Sequence, residues 1–77
     1  MDMKKLEELH EWGGQVARLI ELVALTNNTL QLHRELGDTP SIIEQYERLL
    51  AQHQQELDEL LRTYGLTVKL LPLDNAA

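Results

Sequence analysis

No cysteine occurs among the 77 residues. That excludes a disulfide framework and any zinc site built on thiolates. Positive charge is also scarce: 7 Lys and Arg stand against 13 Asp and Glu, a net charge of −6. Nucleic-acid binding needs clustered positive charge to displace counterions, so DNA and RNA are not expected partners. The same balance disfavours anionic membrane surfaces. No apolar run approaches the ~18 residues of a membrane span and no secretory signal is visible, so the expected location is cytoplasmic. No Gly-rich phosphate loop follows a strand. No Ser/His/Asp or Cys/His nucleophile arrangement can be made out. Neither a cofactor nor a catalytic residue is therefore expected. A chain this short makes one domain at most, and its small core is marginal unless something staples it.

What is present is helical periodicity. The spacing predicts a first helix over about 3–36, with Leu6, Gly13, Ile20 and Asn27 as one seam row and Leu9, Val16, Val23 and Leu30 as the other. Steps of three and four alternate between the rows, as in a helix packed along a seam. A second apolar set, Leu22, Leu25, Leu32 and Leu36, falls on a different face. The C-terminal half of this helix is thus apolar on two sides, where a helix in a simple pair needs one stripe. Gly37 stands where a left-handed residue ends a helix.

A second helix is expected over about 40–64. Thr39 can cap it with Pro40 in the first helical position, and Ser41 with Glu44 offers a competing capping box. Its seam is Ile43, Tyr46, Leu50, His53, Leu57, Leu60 and Tyr64, widened by Ile42, Leu49 and Leu61. Gly65 supplies the next stop, with Leu66 placed to touch Leu61. The hairpin unit is then 1–66, and 67–77 forms an extended apolar C-terminal tail in which Pro72 stops any regular strand. The tail's Val68, Leu70, Leu71 and Leu73 are expected near Leu6 and Leu9, beyond the end of the second helix.

A short connection makes neighbouring helices antiparallel. Facing residues should then carry numbers that sum to about 77, counted from the turn. That places Gly13 opposite Tyr64, with Trp12 closing the same layer. On this reading Gly13 makes room for the tyrosine ring; Gly14 lies off the seam and has no packing reason. Two helices cannot cover both apolar faces of the first. Leu22, Leu25, Leu32 and Leu36, with Ile42 and Leu49, therefore form the expected interface. The simplest cover is a second copy, which gives an all-α homodimer folded as a four-helix bundle. A heterologous partner helix in the same groove is the other option. Asn27 and His53 interrupt the two seams and are expected to share one polar layer that fixes register.

Two motifs invite chemistry. Glu7 and His10 have the E-x-x-H spacing of carboxylate-bridged di-metal bundles. They flank Leu6 and Leu9 rather than replacing them, and the second helix offers no matching carboxylates, so a solvated face is expected and no metal. QQELDELL, residues 54–61, resembles the S-Q-E-L-D motif on the second helix of the two-helix sporulation-regulatory phosphatases, which act on aspartyl-phosphorylated response regulators. Gln54 stands where that motif has Ser. The resemblance implies a hairpin and gives Asp58 the key acidic position. The function expected from the residues themselves is a non-catalytic protein–protein interaction module, a small regulator or adaptor of a larger protein. The phosphatase-like regulator is the alternative.

Overall fold

The computed structural model describes residues 3–71 and 73. Two helices follow one another: α1, Met3–Leu36, and α2, Pro40–Arg62. The described residues contain no strand. Met1, Asp2, Pro72 and 74–77 lie outside the described residues, and with them the Pro72 stop and the polar terminus.

Both stops are made by glycine in the left-handed region, where a Cβ would be strained. At the end of α1, Gly37 has φ +68°. The Asp38 N–H donates to the His33 carbonyl at 3.1 Å and the Gly37 N–H to that of Arg34 at 3.2 Å. At the end of α2, Gly65 has φ +70°. The Leu66 N–H reaches the Leu61 carbonyl at 3.1 Å and the Gly65 N–H that of Arg62 at 3.0 Å. These bond pairs satisfy carbonyls that a bare helix end leaves open. Regular α-bonding stops at Arg62, two residues short of the expected Tyr64. Thr63 and Tyr64 turn more tightly, donating to Leu60 and Leu61 at 3.3 and 3.1 Å. Thr39 is the N-cap of α2 by backbone conformation, but its side chain caps no amide. Its hydroxyl lies 3.5 Å from that of Ser41, while Glu44 pairs with Arg48 instead of closing a capping box.

The helices pack against each other as an antiparallel hairpin. Across it Trp12 meets Tyr64, His33 meets Tyr46 and Arg34 meets Glu47. Those pairs have numbers summing to 76, 79 and 81, close to the register counted from the turn. At ~1.5 Å per residue α1 is about 51 Å long and α2 about 35 Å. The molecule measures 53 × 28 × 16 Å, so the first turns of α1 overhang the end of α2. The smallest dimension is about one and a half helix diameters. Only the seam can then be dry: Leu30 and Leu57 are 2% exposed, and Val23, Leu61 and Thr26 complete the buried set.

Two expectations need correction. Gly13 is not held by close packing: a Cβ built there meets nothing within 4 Å, and the same holds for Gly14. α1 also runs through both glycines unbroken. The Tyr64 ring approaches Trp12 from its own side and leaves the glycine face open. The tail, as far as it is described, lies elsewhere than expected. Gly65 reverses the chain, and residues 66–71 return along α2 rather than continuing past it. Thr67 Oγ1 donates to Asp58 at 3.2 Å, and Gln54 Nε2 donates to the Leu70 carbonyl at 3.2 Å. Leu70 and Leu71 then line a groove with Ile20, Val23, Ala24 and Leu50. Leu6 and Leu9 stay exposed, beside Lys5 and Tyr64.

Candidate functional site

At 100° per residue, the side chains of α1 divide into three sectors around the buried Val23 and Leu30. Ile20, Ala24 and Asn27 fall on one flank, the one lined by Leu70 and Leu71 of the tail. Leu22 and Thr29 fall on the opposite flank, and Leu25, Leu32 and Leu36 on the far side. On α2, Gln54 and Asp58 lie on the tail flank and Ile42 and Leu49 on the other. The tail runs along one flank of the hairpin, where Ile20 and Ala24 nevertheless stay exposed. Leu25, Leu32, Leu36 and Leu49 are 63%, 52%, 71% and 39% exposed. Leu22 and Ile42 are half-buried. Isolated exposed leucines are ordinary on a protein surface; a continuous run of them from one flank of α1 round to its far side is not.

The end of the hairpin beside Trp12 is held by aromatic and polar contacts together. Trp12 and Tyr64 meet edge to face with centroids 4.7 Å apart. The indole N–H donates to the Leu60 carbonyl at 2.7 Å. That carbonyl also receives Thr63 from the tightened last turn, so the ring closes an otherwise half-open helix end. At the turn, His33 bonds Asp38 through Nδ1 and stacks on Tyr46, centroids 4.8 Å apart and planes 20° from parallel. An acidic residue just past the stop glycine and a histidine five residues before it occupy the positions where apolar side chains often meet. The sequence places Trp12 and Tyr64 in one layer, but neither the indole bond to Leu60 nor the His33 bond to Asp38 follows from it, because periodicity marks faces and not directed bonds.

The polar positions are placed as follows. Asn27 Oδ1 and His53 Nδ1 are both buried and neither has a hydrogen-bond partner. Asn27 lines the groove beneath Leu70 and Leu71. Asp58, the acid singled out by the phosphatase resemblance, is engaged on both oxygens. Arg62 pairs with Oδ2 at 2.7 Å and Thr67 donates to Oδ1 at 3.2 Å. Those bonds make it an anchor for the tail. Glu7 and His10 are exposed. Among the described residues no three His, Asp or Glu side chains gather closely enough to hold a metal ion. The Arg48 guanidinium is raised above its ordinary value by the hydrogen bond to Glu44 and then by that carboxylate's charge, on an exposed turn of α2.

No protein-family model, no curated protein and no solved structure matches this chain. No helix of the described residues is long and apolar enough to cross a membrane.

Proposed function

We propose that the chain is a non-catalytic interaction module of the cytoplasm. In this reading the hairpin pairs with a second copy through its leucine face, forms a four-helix bundle, and in that state serves as a small regulator or adaptor of a larger protein. One observation carries it. The tail only lines the Ile20–Ala24 flank, where Ile20 is still 43% exposed, and Leu25, Leu32, Leu36 and Leu49 are open to solvent, while among the described residues four hydrophobic side chains are buried. Burying a fully exposed leucine is worth about 1.5–3 kcal/mol, of which each of these has roughly half left to gain. A second copy brings the same face at equal concentration, and the contact is self-complementary.

Multi-angle light scattering tests this at concentrations of tens of micromolar. The expected mass is twice the 8.9 kDa of the chain, and Leu32→Glu is expected to bring it down to a single chain. A wild-type mass of one chain, with a cooperative thermal transition showing that it is folded, would overturn the self-paired form.

A further inference from the structure

The open stripe of α1 has a symmetry of its own. Leu22, Leu25, Thr29, Leu32 and Leu36 follow steps of three, four, three and four, the repeat of a coiled-coil seam. Reversed end for end about Thr29, the stripe sets Leu22 on Leu36, and Leu25 falls within one residue of Leu32. Thr29 suits the centre because its hydroxyl is already used, donating to the Leu25 carbonyl of its own helix at 2.9 Å. Its methyl is left to pack, and no unpaired polar group enters the seam.

We propose, resting on the homodimer above, that the two copies join through α1 laid antiparallel on α1, with the two-fold axis at the level of Thr29. Three features of the chain favour this direction over the parallel one. The seam positions preceding Leu22 are Arg18, Gln15, Glu11 and Glu8, all exposed. A parallel pair would stack each of them on its own copy, setting Arg18 and both glutamates against like charge. In the antiparallel pair the second helix ends at Leu36, opposite Leu22, and no polar row continues the seam. Arg18 then sits beside the second copy's Asp38 and the carbonyl end of its α1, where positive charge is favourable. Glu21 and the second copy's Glu35 meet only at the wet rim, where salt screens them.

The absence of cysteine makes single spin labels straightforward to place. Asn28→Cys and Glu8→Cys, both at exposed positions, would be labelled separately and read by pulsed electron paramagnetic resonance. Labels at 28 should lie within ~25 Å of each other, the spacing of adjacent helices plus two linkers. Labels at 8 should lie roughly 60 Å apart, twice the axial rise from residue 8 to residue 29. A distance under ~30 Å at position 8 would sink the antiparallel arrangement and leave the homodimer standing. No coupling at either position, together with a single-chain mass, would remove both.

Discussion

The adjacent glycines of α1 show how a residue can look purposeful in sequence and have no purpose within one chain. Nothing in the hairpin needs the missing side chains at 13 and 14, since a Cβ at either finds open space. Helical glycine costs about 1 kcal/mol against alanine. Gly13→Ala and Gly14→Ala should each therefore raise stability by roughly 0.5–1 kcal/mol, read as a higher urea midpoint in the fluorescence of the single tryptophan. A loss of stability at either position would mean that something packs there in solution. Asn27 argues the other way. Its buried oxygen without a partner carries a desolvation cost of about 1–3 kcal/mol. Asn27→Leu, with the same branching at Cγ and room to expand into the groove beside Leu70 and Leu71, should stabilise by ~1–2 kcal/mol in the same titration. If it destabilises instead, the amide is bonded in solution.

At the scale of elements, the tail is held to α2 by Asp58 and Gln54, and it lines a groove with Ile20, Val23 and Leu50. Asp58→Ala removes both the Thr67 bond and the Arg62 pair. The pair is partly exposed and counts for little, so the expected loss is below about 1 kcal/mol. The measurable effect is local: amides of residues 66–71 should exchange with solvent several-fold faster, with the α1–α2 seam unchanged. Exchange unaltered in the tail would assign its position to the leucines alone. The contrast between helices and tail explains what could be read in advance. Glycine stops, Thr39–Pro40 and alternating apolar steps are local signals, and they located both helices within two residues. The hairpin's pairing followed because a three-residue turn leaves little choice. The path of the tail depended on two long-range bonds from polar side chains, and on a reversal at Gly65 that sequence marks only as a stop. The Trp12 bond to Leu60 and the His33 bond to Asp38 escaped for the same reason. The open leucine face, by contrast, was legible because two apolar stripes on one helix exceed what one partner helix can cover.

At the scale of the molecule, the decisive quantity is how little lies inside. Among the described residues two leucines are almost fully buried, and the thinnest dimension is 16 Å. A chain of this length seldom gains more than about 3–5 kcal/mol from a single core. If a second copy supplies the remainder, folding and association are one equilibrium, and stability must depend on protein concentration. A hundredfold dilution, from about 100 µM to about 1 µM, weakens a dimer by ~2.7 kcal/mol. For a domain of this size that lowers the thermal midpoint by on the order of 10 °C. Leu32→Glu should melt lower at every concentration and lose the dependence, because a buried unpaired carboxylate in the seam opposes association. The measurement is a set of circular dichroism melts across the dilution series. A wild-type midpoint that stays within ~1 °C throughout, well below the shift expected for a dimer, would show a hairpin that needs no partner to fold. The exposed face would then have to be explained without a second copy.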